Sequence, residues 1–137
     1  MSYEIPGFSL GMYRASTSFA STDQYCFVTL STTTNNPPDV RIVATQGNQV
    51  VGVLQDVPDS SGDSCNVAVF GVSKIRLSST HAAVAVLSPL YSRADGTANA
   101  GTSSSFYVAG YALEPLAADT SGIISMWLNP GLRTGTT

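Results

Sequence analysis

One strand-turn-strand pattern is written twice in this chain. Val51-Gly52-Val53-Leu54-Gln55 leads through Asp63 to Val67-Ala68-Val69-Phe70, and Val108-Ala109-Gly110-Tyr111-Ala112-Leu113-Glu114 leads through Asp119 to Ile123-Ile124-Ser125-Met126-Trp127-Leu128. In each copy, apolar residues that favour extended backbone flank a polar turn containing Gly. One hairpin alone cannot bury its apolar face in water. A hairpin used twice therefore predicts an all-β body, a small single-domain barrel or sandwich. Neither copy carries the residues of a catalyst.

The rest of the chain fits around this pair. Strands are expected over 25–30, with Cys26, Val28 and Leu30 on one face, and over 40–45 and 49–56, which bracket a tight hairpin at Gln46-Gly47-Asn48. Residues 66–77 read as the longest strand, bent at Gly71, because an interior Gly marks a bulge or barrel corner. A short hairpin is expected around Ala94-Asp95-Gly96, and 106–114 with 122–128 close the body. Residues 79–87 have a possible cap in Ser79 or Thr80, yet Val84 and Val86 favour extended structure.

Ahead of the body, residues 1–20 mix Tyr3, Ile5, Phe8, Leu10, Met12 and Tyr13 with Pro6, Gly7 and Gly11, which break a helix. Phe8, Leu10 and Met12 alternate with Ser9 and Gly11. The segment reads as an extended N-terminal arm with one apolar edge, folded back on its own barrel or clasping a neighbour. The body is expected over 21–130. Asn129-Pro130-Gly131 is expected to end the last strand, leaving 131–137 as a flexible tail.

Composition excludes several functions. The net charge is −3 with a single lysine, Lys74, so no basic patch is available for nucleic acid or anionic lipid. Charged residues are 11%, and Ser plus Thr make up about a quarter, a balance suited to β-rich virion or extracellular proteins. Met1-Ser2-Tyr3-Glu4-Ile5-Pro6 has neither the basic nor the apolar region of a signal peptide, so synthesis in the cytosol is expected. The longest apolar run, 82–87, is too short to span a membrane. Cys26 and Cys65 are expected to stay reduced and buried.

The chemical candidates are weak. Gly7-Phe8-Ser9-Leu10-Gly11 matches the G-x-S-x-G string, but no buried strand precedes Ser9 to hold it on a strained turn. His81 is the lone histidine and has no metal-ligand spacing around it. Asp59, Ser61 and Asp63 alternate like the start of a calcium loop, yet Ser64 stands where that loop needs Gly. No enzyme activity, cofactor or metal is expected. Tyr91, Tyr107, Tyr111 and Trp127 read as core or subunit-contact residues, with a sugar-stacking face as the alternative.

GVLQDVP (52–58), VAVFGVSK (67–74), SRADGTA (92–98), GYALEPL (110–116) and GIISMWL (122–128) occur in an order that resembles the phage capsid cement, or head decoration, family. The chain departs from that pattern where family members usually carry Gly before the ADG turn; Val86-Leu87-Ser88-Pro89-Leu90 stands there instead. The resemblance implies a β-barrel on the outer surface of a phage head, at junctions between capsid subunits, stabilising the shell against packaged DNA. It also implies the major capsid protein as partner and a homotrimer at three-fold or quasi-three-fold positions. The expected contact residues are Tyr3, Ile5, Phe8, Leu10, Met12, Tyr13 and Trp127. The alternative is a virion-surface module that binds host glycan.

Overall fold

A computed structural model describes residues 13–31 and 38–133, the last three as backbone. Among the described residues the protein is all-β, with a single helical turn of 3-10 type at Ser21–Asp23. Strands β1 (Tyr13–Ala15), β2 (Phe27–Leu30), β3 (Asp39–Ile42), β4 (Gly52–Leu54), β5 (Ser64–Cys65) and β6 (Val67–Ala68) form one sheet in the order β5-β1-β3-β2-β4-β6. Only Asn66 separates its two edge strands, so the sheet curls nearly closed. Each strand supplies one residue to a shared core: Ala15, Val28, Val40, Leu54, Cys65 and Val67. Strands β7 (Gly71–Leu77), β8 (Pro89–Ser92), β9 (Ala98–Ala100), β10 (Tyr107–Ala112) and β11 (Gly122–Arg133) close a second barrel in the order β10-β11-β7-β9-β8.

The two barrels have one topology. β1 runs parallel to β3 and antiparallel to β5, as β7 runs parallel to β9 and antiparallel to β11. β2 pairs with β3 and β4 as β8 pairs with β9 and β10, and β4 meets β6 as β10 meets β11. Registers match as well: Val28 opposite Gly52 corresponds to Leu90 opposite Gly110, and Leu54 opposite Val67 to Ala112 opposite Met126. The duplicated hairpin of the sequence is thus the most recognisable part of a duplicated barrel.

Two local devices explain why that part is recognisable. A Cβ on Gly52 would collide with the carbonyl oxygen of Ala68, and one on Gly110 with that of Trp127, so the strand pairing requires glycine at both places. Just past the ladder an acid hooks the opposite strand. Asp56 accepts a hydrogen bond from the Asn66 backbone N–H at 3.0 Å, and Glu114 accepts one from that of Ser125 at 2.6 Å. Charge-assisted bonds of this kind hold the register where the turn begins.

Strand alternation joins the barrels. In β2 and β4, Val28 and Leu54 point into the first core, while Phe27 and Val53 join the second core with Ile75, Leu77 and Ala98. The chain crosses between barrels at Gly71, whose φ of 94° belongs to the left-handed region that glycine tolerates. The bend expected at Gly71 is therefore present, but it splits the expected 66–77 strand into β6 and β7 and links two barrels.

Three other expectations are corrected. The stretch 13–20 belongs to the body: β1 takes backbone partners from β3 and β5, and Phe19 packs in the first core with Ala15. Tyr3, Ile5, Phe8, Leu10 and Met12 lie outside the described residues. Residues 40–56 do not form a hairpin; β3 and β4 lie on either side of β2. The reason is that Gly47, at φ 72°, turns toward the second barrel, donating to the Ser92 carbonyl at 2.7 Å and accepting from the Tyr107 N–H at 2.9 Å. Finally, β11 runs on through Pro130 to Arg133, because a register shift between Val108 and Gly110 leaves Asn129-Pro130-Gly131 as a bulge where the missing proline N–H breaks no ladder bond.

Candidate functional site

Inward-facing positions of β10 and β11 are filled by Ala112, Met126 and Leu128, all fully buried. Alternation then forces Tyr111 and Trp127 to the outside of the barrel. Register places them side by side: Tyr111 lies opposite Pro89 on one flank and Trp127 on the other, and Trp127 lies opposite Val72. Four adjacent strands therefore carry one continuous apolar row. Phe70 extends it, its ring set edge-on to the Trp127 indole at 5.5 Å between centroids and 77° between planes.

The row is open to solvent. Tyr111 is 37% exposed, Trp127 40% and Phe70 49%, and Ile123 on β11 and Leu113, just past the end of β10, are exposed as well. Large apolar groups gathered on rigid strands mark a contact surface more than scattered surface residues do. Leu87, 66% exposed, adds to it at the end of β10: its N–H donates to the Ala112 carbonyl at 2.7 Å, and Ala112 donates back to Ser88 at 2.9 Å. Two residues thus face one, and the first has φ 68°, a bulge position that ordinarily holds Gly.

Of the contact residues named from sequence, Trp127 lies on this row and Tyr13 lies in β1 of the other barrel. The structure does not bring the two together in one patch. Phe70 and Leu87 were missed. Phe70 reads as the tail of a buried strand until Gly71 is known to cross between barrels, and Leu87 reads as the end of an apolar run until its bulge is seen. Tyr91 is core: it is 7% exposed, packs on Phe106 at 4.7 Å and accepts a hydrogen bond from Asn99 Nδ2 at 2.9 Å.

Among the described residues, the chemical candidates His81 and Asp63 hold structural positions. His81 is buried, with Nδ1 and Nε2 each 2.7 Å from a backbone carbonyl, those of Ala82 and Thr120, so the ring ties two loops together. Asp63 closes its own turn by accepting from the Ser60 N–H at 3.1 Å. No group of three His, Cys, Asp or Glu side chains is arranged for a metal among the described residues. Cys26 and Cys65 are free and buried, and burial pushes their thiols up to about 12 and about 11. Ser9 lies outside the described residues. No helix among them is long and apolar enough to cross a membrane.

Comparisons with known proteins agree with one another. The profile of a family described as phage cement protein matches residues 27–126, which takes in strands of both barrels. In fold the chain is similar to the crystal structure of the N base of the head fiber of bacteriophage phi29, with a TM-score of 0.64 and 17% identity, over 86% of this chain and 91% of that one. No curated protein matches the chain.

Proposed function

This chain belongs to the phage cement protein family, and on that premise we propose that it binds the outer surface of an assembled phage head at junctions between capsid subunits. Membership places it among virion proteins that decorate and stabilise capsids. The finer reading is mechanical. A protein that touches two or more capsid subunits resists the outward push of packaged DNA, because its contacts must break before the subunits part. Many equivalent copies make the effect collective. The observation that carries this reading is the exposed apolar row through Tyr111 and Trp127, a continuous face carried on paired strands.

The partners of this reading are the major capsid protein and further copies of the chain, as a homotrimer at three-fold or quasi-three-fold positions. The segment 1–12 is the proposed clasp, through Tyr3, Ile5, Phe8, Leu10 and Met12, since burying each large side chain is worth about 1.5 to 3 kcal/mol. No catalytic step, nucleic acid or membrane enters the proposal. Mixing purified protein with mature heads that lack it tests the reading: saturable binding and a higher temperature of DNA release are expected. Failure to bind heads overturns it. Truncation belongs at residue 12, ahead of β1, and is expected to weaken binding at least about tenfold while leaving thermal unfolding unchanged.

Tyr111 and Trp127 side by side also favour a second reading, a sugar-stacking face for host glycan. A glycan-array signal from protein that does not bind heads would support it.

A further inference from the structure

The internal duplication says what a row like this one meets. In the first barrel, the positions equivalent to Leu87, Pro89, Tyr111 and Trp127 are Tyr25, Phe27, Val53 and Ala68. The register pairs establish this: Phe27 faces Val53 as Pro89 faces Tyr111, and Val53 faces Ala68 as Tyr111 faces Trp127. Tyr25 is the bulge residue of its barrel, with φ 66° against 68° for Leu87, and its N–H donates to the Leu54 carbonyl as that of Leu87 donates to Ala112.

In the first barrel this whole row is covered. Phe27 and Val53 are fully buried in the second barrel's core, and Tyr25 and Ala68 pack against it. What covers the row is a neighbouring barrel of the same topology. Among the described residues, no barrel lies beside the equivalent row of the second barrel. We propose that Leu87, Pro89, Tyr111 and Trp127 dock against the first barrel of a second copy of this chain, repeating between copies the contact that joins the two barrels within one.

The receiving side supports this occupant. Within the chain, Arg76 on β7 receives the first barrel: its backbone N–H donates to the Tyr25 carbonyl at 2.8 Å and its Nε to the Gln24 carbonyl at 3.0 Å. The equivalent residue on β1 is also arginine, Arg14, since Ala15 pairs with Val40 as Leu77 pairs with Ala98. Arg14 is partly exposed; its backbone N–H already donates to the Pro38 carbonyl at 3.0 Å and its Nε lies 3.3 Å from Asp39, so what it can offer a second copy is the terminal nitrogens of its guanidinium. In the repeated contact its guanidinium meets the carbonyl of Val86, the counterpart of Gln24. One difference is consistent with the docked residue. Phe27 donates its N–H to the Gly96 carbonyl at 2.7 Å, whereas Pro89 has no N–H to place.

Such a contact joins two different surfaces and is head-to-tail, so it closes into a ring or runs on as a filament. The inference specifies the face used in the self-association proposed above, and sedimentation of the full chain separates the two. Wild type is expected to form a discrete oligomer as concentration rises. Leu87→Gly suits a backbone at φ 68°, so it keeps the fold, and it is expected to raise the dissociation constant at least tenfold. Arg14→Ala and Trp127→Ser are expected to do the same, with circular dichroism as the check on folding. A wild-type oligomer that all three folded variants reproduce at the same concentrations overturns this face and leaves self-association standing. A wild type that stays monomeric alone and lies apart from other copies on heads overturns both.

Discussion

The two barrels share their interior rules and differ on their outsides. Both need glycine where strands close, at Gly52 and Gly110; both place a residue with positive φ at the bulge, Tyr25 and Leu87; both end the ladder with an acid, Asp56 and Glu114. Backbone geometry leaves no freedom at these positions, so they recur. The outward row is under no such rule. It reads Phe27, Val53 and Ala68 where a barrel covers it and Pro89, Tyr111 and Trp127 where none does among the described residues, and the exposed version has the aromatic make-up of a contact surface. The comparison shows how one architecture supplies both an internal joint and an outer face.

The largest expected effect separates equivalent residues by their surroundings. Phe27→Ala empties a fully buried site and is expected to cost about 3 to 5 kcal/mol, while Tyr111→Ala in the dilute protein is expected to cost less than about 1 kcal/mol. Urea unfolding of both variants measures this. Equal losses would mean that the second row is already covered in the monomer. Next come the glycines: Gly52→Ala and Gly110→Ala each push a methyl into a partner-strand carbonyl and are expected to cost about 3 kcal/mol by the same measurement. Tolerance of one but not the other would break the equivalence of the hairpins.

Smaller effects sharpen the account. His81→Ala removes a buried ring held between two carbonyls and is expected to cost about 1 to 2 kcal/mol, with no change in head binding. The cysteines give a pH dependence. Their thiols are raised in the folded state, so the stability they contribute is intact below the unfolded value of 9.0 and is lost as pH rises toward about 11 and about 12. The double variant Cys26→Ala, Cys65→Ala is expected to lose less stability than wild type between pH 9 and 11, measured by urea unfolding across that range. Smallest is Leu87→Gly, which relieves an unfavourable φ and is expected to leave the monomer as stable or more stable by about 0.5 to 1 kcal/mol.

Much of the fold was legible because hairpins are local. The turns at Asp63 and Asp119, the ADG turn and the all-β class follow from alternation and turn residues, and both copies of the duplicated hairpin do pair. The duplication of whole barrels was not legible. β1 and β7, or β2 and β8, share strand geometry but almost no side chains, and the parallel pairing of β1 with β3 leaves no mark at the level of residue type. That is why Tyr13 was assigned to an arm. Trp127 is legible in the sequence as a candidate contact residue because a large aromatic on a strand has few other uses, and the structure places it on the exposed row. Its neighbours Phe70 and Leu87 depend on a crossing at Gly71 and a bulge before Pro89, both of which are tertiary features.

Trp127 is the chain's single tryptophan, which gives the central claim a direct reporter. Its fluorescence can be followed under acrylamide quenching in dilute protein, in concentrated protein and on decorated heads. If the second barrel's row is covered as the first barrel's is, Trp127 is readily quenched when dilute and strongly protected in the other two states. Equal quenching in all three would contradict the claim, because the row would then face solvent in the assembled particle.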